Sequence, residues 1–154
     1  MIDVAAKKVA VIGGGSFGTA LVKIFSANQG HCFWWMHNEE SALHLMQFHH
    51  NPRYLSAVRF DPETISVFTE VSEAVKQADI VVFAIPSAFV KSVLLELMPG
   101  ALDGKIVCSA IKGIIPDENM IVGEYLRDVM GIPENNIVVI TGPCHAEEIA
   151  LERL

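Results

Sequence analysis

Val9-Ala10-Val11-Ile12-Gly13-Gly14-Gly15-Ser16-Phe17-Gly18-Thr19-Ala20-Leu21 is the stretch on which the fold turns. Four apolar residues stop at a glycine, Gly13, Gly15 and Gly18 follow at GxGxxG spacing, and an apolar pattern of helical period resumes beyond them. That is the layout of a buried strand, a tight turn and a helix whose free N-terminal amides face an anion. Gly13 permits the turn, Gly15 lets the backbone come close to a pyrophosphate, and Gly18 lets the helix lie close on the sheet. Ser16, at the helix start, offers a hydroxyl and an amide to phosphate. The stretch predicts a dinucleotide held by its pyrophosphate. The bland alternative is a glycine-rich turn without a ligand.

The rest of the chain decides between the two, because strands and helices alternate along it. Helix 16–28 carries Phe17, Leu21, Ile24 and Phe25 as its inward stripe and ends at Gly30. Strand 31–36 contains Cys32-Phe33-Trp34-Trp35, and helix 39–48 turns Ala42, Leu43 and Met46 inward. The polar, proline-broken segment 49–55 reads as a loop. Strand 64–68 follows, then a helix over 70–77 capped by Thr69. The continuous apolar run 80–85 reads as a central parallel strand closed by Pro86, and Ser87 caps a helix to Leu97. Strand 105–109, a helix from Pro116 to about Met130, strand 136–141 and an amphipathic helix over 144–154 complete the pattern. The fold class expected is therefore α/β: a doubly wound, Rossmann-type, mostly parallel sheet with helices on both faces, in one domain over 1–154. Right-handed crossovers bring the loops after every strand to one edge.

With 154 residues the chain has material for one core. Its net charge of -7 argues against a broad nucleic-acid surface and against an anionic membrane surface, yet backbone amides can still hold a local phosphate. The apolar run 80–85 is too short for membrane insertion. Cys32, Cys108 and Cys144 are odd in number and far apart, which fits a reducing, cytoplasmic setting better than a disulfide framework. In the last helix Leu151 and Leu154 have nothing after them to pack against, which favours a fragment of a longer protein.

Several residues fall on the predicted loop edge. An acid that takes a ribose hydroxyl is expected after the second strand, but His37-Asn38 stand there, with Glu39-Glu40 following. An imidazole and an amide lean toward the 2′-phosphate of NADP(H), while Glu39 swung inward would favour NAD(H), and His37 also reads as a plain loop histidine. Pro86 shapes the loop where a nicotinamide half would lie; Ser87 is a helix cap or a cofactor contact. Lys112, after the fifth strand, is placed to neutralise a substrate phosphate or carboxylate, or to polarise a carbonyl. Gly142-Pro143-Cys144-His145-Ala146 opens the last helix with free amides. His145 tempts as a general base, but spacing assigns it no partner. No metal site is expected: His49 and His50 are adjacent on a loop and lack ligand spacing.

Taken together, GGGSFGTAL, the His37-Asn38 pair after Trp34-Trp35-Met36, NPRYL, ADIVVFAIPS, SAIKGI and TGPCHAEEIA occur in an order that resembles the N-terminal, cofactor-binding domain of bacterial-type NAD(P)-dependent glycerol-3-phosphate dehydrogenases. The resemblance covers nearly the whole chain. It implies that Ser16 and Phe17 cover the pyrophosphate, Phe17 standing where the family often has tryptophan. It places His37 and Asn38 near the adenosine ribose or its 2′-phosphate, where the family often has arginine, and this departure weakens the NADP lean. Lys112 resembles the lysine that touches both cofactor and glycerol phosphate, Gly142 and Cys144 correspond to a substrate segment usually written GPS or GPT, and Ala146 resembles a backbone contact to the cofactor.

The activity implied for the full-length parent is reversible hydride transfer between NAD(P)H and dihydroxyacetone phosphate, giving sn-glycerol 3-phosphate for phospholipid synthesis. The family's helical second domain, which carries the proton-transfer lysine, has no counterpart in these residues, so cofactor binding with little or no turnover is expected of this chain. A homodimer of the full-length parent is a further expectation. The rival readings are another two-domain dehydrogenase such as a ketopantoate reductase or 6-phosphogluconate type, a non-catalytic NAD(P)-binding module, and a scaffold domain without ligand.

Overall fold

The structure, a computed structural model, describes residues 7–141 and 145–150. Its centre is a six-stranded parallel sheet made of β1 (Val9–Ile12), β2 (Cys32–Trp35), β3 (Ile65–Phe68), β4 (Ile80–Phe83), β5 (Ile106–Ser109) and β8 (Ile137–Val139), in the order β3-β2-β1-β4-β5-β8. The order reverses between β1 and β4, where both strands leave a crevice at their carboxyl ends, and such a switch point is where open α/β sheets bind ligands. The register is level across the sheet. Ile12 pairs with Trp35 on one side and Phe83 on the other, Trp35 with Phe68, and Phe83 with Ser109. Gly13, Met36, Thr69, Ala84 and Ala110 therefore emerge on a single edge.

Alternation along the strands divides the core in two. Ala10, Ile12, Trp35, Val81, Phe83 and Val107 point to one face, against α3 (Val71–Gln77), α4 (Val90–Leu95) and α5 (Val122–Asp128). Val9, Val11, Cys32, Trp34, Val82 and Cys108 point to the other, against α1 (Ser16–Gln29), α2 (Glu39–Phe48) and α6 (Ala146–Ala150). Strands buried on both faces need apolar residues at every position, which is why β1 and β4 read as unbroken apolar runs.

Several boundaries and faces differ from the sequence expectation. In α1 the buried apolar residues are Ala20, Leu21 and Val22, with Phe17 and Phe25 partly buried beside them, whereas Ile24 is exposed; in α2 the buried residues are Ser41, Ala42 and Leu45, with Leu43 and Met46 outward. The helix expected from Pro116 begins only at Val122. Ahead of it Ile114–Ile115 (β6) and Met120–Ile121 (β7) pair as a hairpin, and Asp117 and Asn119, at φ 68° and 53°, form its reversal. Short polar Asp and Asn side chains tolerate that left-handed backbone, which a helix cannot contain. Thr69 is not the cap of α3: Glu70 holds that position without a side-chain bond, and the Thr69 carbonyl instead accepts a hydrogen bond from Trp35 Nε1 at 2.8 Å. Ser87 is the first residue of a 3-10 turn, Ser87–Phe89, and the cap position is Pro86. The expectations for Gly142, Cys144, Leu151 and Leu154 fall outside the described residues.

Burial has a chemical consequence at the two described cysteines. Loss of hydration pushes the Cys32 thiol from 9.0 up to about 12 and the Cys108 thiol up to about 11. Both folded values lie above those of the unfolded chain, so the folded protein keeps protons that the unfolded chain gives up. This part of the stability is complete below pH 9 and is lost as pH rises toward about 12. The unfolding free energy from urea titration is expected to fall between pH 8 and pH 10.5, by at most about 1.4 kcal/mol per pH unit for each thiol, and Cys32→Ala should flatten that slope.

Candidate dinucleotide-binding site

The glycine turn is held from three sides. The Gly13 amide donates to the Trp35 carbonyl at 3.1 Å, continuing the sheet ladder, and the Gly13 carbonyl accepts from the buried Trp34 Nε1 at 2.8 Å. Gly13 has φ +137°, and a Cβ there would lie 2.3 Å from the Ala84 carbonyl oxygen. A Cβ on Gly18 would lie 2.2 Å from the Gly13 oxygen. These two glycines are demanded by packing. Gly15 is different: it precedes the first turn of α1 in extended backbone, and a Cβ there would meet nothing within 4 Å. The free amides of α1 thus open onto space at Gly15, with no acidic residue in the first turn to satisfy them.

Two cavities flank that point. One, of about 360 Å³, runs from Gly13, Gly14 and Gly15 past Met36, His37 and Asn38 to Phe89 and Val93. The other, of about 550 Å³, runs from Gly15, Ser16 and Phe17 to Lys112, His145 and Ala146. Gly15, Tyr54, Ala84, Ile85 and Pro86 line both. The site residues expected from sequence therefore sort by half. His37, Asn38 and Gly13 belong to the first cavity, Ser16, Phe17, Lys112 and Ala146 to the second, with Gly15 and Pro86 at the join; Gly18 lies behind the turn, as a packing position.

Their local settings refine the expectation. His37 is exposed, its ring 5.9 Å from that of Trp35. Asn38 caps α2: its Oδ1 accepts from the Ser41 amide at 2.8 Å, so only its NH₂ remains for a ligand. Glu39 and Glu40 sit in the first turn of that helix, where its dipole favours them. Lys112 is exposed two residues beyond the buried Ala110 and belongs to neither of the ion pairs identified among the described residues. His145 is exposed and lines the second cavity, as Lys112 does, and no partner side chain is seen for it among the described residues.

Sequence reading overlooked four contributors. Trp34 secures the turn from beneath. Phe89 presents an exposed ring at the far end of the first cavity. Arg53 and Tyr54 come from the segment read as a plain loop, which is anchored by the wholly buried Asn51. The available signal was Asn51-Pro52: asparagine before proline favours a turn in which the side-chain oxygen accepts amides further on, and here Oδ1 accepts from Arg53 N at 3.0 Å.

Among the described residues, no helix is long and apolar enough to cross a membrane, and no three His, Cys, Asp or Glu residues converge as metal ligands. The arrangement suits an elongated ligand: an anionic centre at Gly15 and Ser16, an apolar slot ending at Phe89, and a more open chamber bearing a lysine.

The family model for the NAD-dependent glycerol-3-phosphate dehydrogenase N-terminus matches residues 8–154. The chain is 34% identical over 148 residues to glycerol-3-phosphate dehydrogenase [NAD(P)+] of Bacillus velezensis, a match covering 94% of this chain and 42% of that protein. It is 36% identical over 145 residues to the enzyme of the same name from Chlorobium phaeobacteroides, covering 93% and 43%. The fold is shared with the glycerol-3-phosphate dehydrogenase of Saccharomyces cerevisiae, at a TM-score of 0.79 and 24% identity over 94% of this chain and 44% of that one. The chain thus spans less than half the length of these relatives. By sequence, sheet order and the placement of its glycine turn, this chain belongs to the NAD-dependent glycerol-3-phosphate dehydrogenase family, to its N-terminal domain.

Proposed function

We propose that the chain binds NAD(P)H along the carboxyl edge of its sheet, as the cofactor half of an sn-glycerol-3-phosphate dehydrogenase. The observation that carries this reading is Gly15: it lines both cavities and leaves open the space a Cβ would fill. A ligand with two bulky halves joined by a pyrophosphate suits that geometry, with the phosphates on the α1 amides. The adenosine half fits the cavity of His37, Asn38, Arg53 and Phe89, and the nicotinamide half fits that of Pro86, Lys112 and Ala146.

When bound, the nicotinamide supplies or accepts the hydride exchanged at the carbonyl carbon of dihydroxyacetone phosphate, and the product of reduction is sn-glycerol 3-phosphate, a precursor for phospholipid synthesis. The chain's own contribution is positional and electrostatic. Ser16 and the α1 amides fix the pyrophosphate, and Phe17 covers it. Lys112 projects from the β5 edge to neutralise the substrate phosphate or polarise its carbonyl. Gly142 and Cys144 are proposed as the adjoining substrate segment. A domain beyond this chain supplies the proton, and the full-length protein works as a cytoplasmic homodimer. The free, buried Cys32 and Cys108 support a reducing compartment.

Titration of the 154-residue chain with NADH and NADPH, followed by nicotinamide fluorescence, tests the reading; micromolar affinity is expected, and no binding of either refutes it. His37→Ala should change the NADPH/NADH affinity ratio by about threefold or more if the imidazole reads the 2′-position. An unmoved ratio removes His37 from that role.

A further inference from the structure

We propose that Asn51 is a positioning residue that locks the glycine turn to the loop bearing Arg53, and that Arg53 is the cation this loop delivers to a phosphate of the dinucleotide. The inference rests on the cofactor reading above.

Asn51 is 0% exposed, and its amide uses all its capacity. Nδ2 donates to the Gly14 carbonyl and to Thr19 Oγ1, both at 2.9 Å. Oδ1 accepts from the amides of Arg53 and Tyr54 at 3.0 and 3.3 Å. Only one orientation of the amide satisfies all four bonds, so the side chain fixes direction as well as distance. Thr19 passes the constraint on, since its hydroxyl donates to the Gly15 carbonyl at 2.8 Å. The loop is thereby tied to both glycines at which the phosphates would rest. Filling the space needs only an apolar side chain of this size; the two-ended amide adds register between segments 37 residues apart.

The delivered group has a matching charge. Arg53 is exposed and lines the same cavity as Gly13, Gly14 and Gly15. Setting histidine aside, it is the sole cation among the residues lining that cavity, against one anion, Glu96 at the far end. Its guanidinium is in neither ion pair identified among the described residues. Pro52, between Asn51 and Arg53, fixes one backbone torsion of the connection and limits where Arg53 can point. An arginine held this way suits a phosphate, which accepts its planar fork of donors.

The test is a double-mutant cycle on the 154-residue chain, with dissociation constants for NADH and NADPH in the wild type, Asn51→Ala, Arg53→Gln and the double variant. Arg53→Gln is expected to weaken binding about tenfold in the wild-type background and less than about twofold beside Asn51→Ala, because the loop then no longer presents residue 53. Equal loss with both cofactors assigns Arg53 to the pyrophosphate; loss with NADPH alone assigns it to the 2′-phosphate. Should Asn51→Ala not fold, the isosteric Asn51→Asp replaces it in the same cycle: it keeps the acceptors for Arg53 and Tyr54 but sets a carboxylate against the Gly14 carbonyl. Trypsin should also cut after Arg53 faster in the Asn51 variant than in the wild type, well below either melting temperature. An effect of Arg53→Gln that is the same in both backgrounds, or absent from the wild type, overturns the inference while wild-type binding stands. A wild type that binds neither cofactor overturns the cofactor reading, and this inference with it.

Discussion

Alanine at Gly15 will leave the protein as stable as the wild type and cost it its dinucleotide, whereas alanine at Gly18 or Gly13 will cost it the fold. The contrast follows from what each Cβ would meet. At Gly18 the nearest atom is the Gly13 carbonyl oxygen at 2.2 Å, a backbone atom pinned by the Trp34 indole. Relief requires moving α1 off the sheet, at about 3 kcal/mol or more. At Gly13 a contact of 2.3 Å with the Ala84 oxygen is joined by a φ of +137°, which adds about 1–3 kcal/mol of backbone strain. A domain of this size has only about 5–15 kcal/mol in total, so both variants should melt far below the wild type. At Gly15 the backbone is ordinary and the space empty, and stability should change by no more than about 0.5 kcal/mol. The methyl group would stand where the proposed pyrophosphate approaches, and NADPH affinity should fall by about two orders of magnitude. Thermal melts and fluorescence titration of the three variants separate these outcomes. Wild-type affinity in Gly15→Ala would mean that no ligand crosses the turn there.

Lys112→Ala carries the second large effect. In a full-length protein bearing this domain, kcat/KM for dihydroxyacetone phosphate should drop about 10²–10³-fold, the usual consequence of removing one preorganised charge from a developing oxyanion or a substrate phosphate. Lys112 is exposed and does not pack in either core cluster, so denaturation midpoints should not move. Lys112→Arg should restore part of the rate if phosphate neutralisation is the main role, since the charge survives, and little if the lysine acts on the carbonyl at close range. Wild-type kinetics in Lys112→Ala would take the residue out of the site.

How far each feature could be read in advance depended on the range of the interaction behind it. The strand–glycine–helix unit is local: the apolar run, the three glycine positions and the start of α1 at Ser16 lie within thirteen consecutive residues, 9–21. Central strands announce themselves because a position buried on both faces excludes polar residues, as in β1 and β4. Helix faces were harder. In α2 the apolar residues Ala42, Leu43, Leu45 and Met46 allow more than one inward stripe, and Ala42 and Leu45 are the ones that join Trp34 of β2 and Val58 and Phe60 of the segment after the helix in one buried cluster. The hairpin 114–121 was hidden for a related reason. Pro116 followed by an acid is a common helix start, and only the pairing of Ile114 with Ile121 shows that the chain first doubles back.

By itself, then, the sequence determined the α/β class, the parallel central strands and the position of the glycine turn between strand and helix, because each is written in residues adjacent along the chain. Tertiary structure alone decided that Gly13 is held against the Ala84 carbonyl of the next strand, that Trp34 and Trp35 brace the turns of neighbouring strands, and that a buried asparagine joins a remote loop to the glycine turn. Those assignments depend on the level register of the sheet, which brings residues distant in sequence to one edge, and a side chain's role there is fixed by the neighbours it meets.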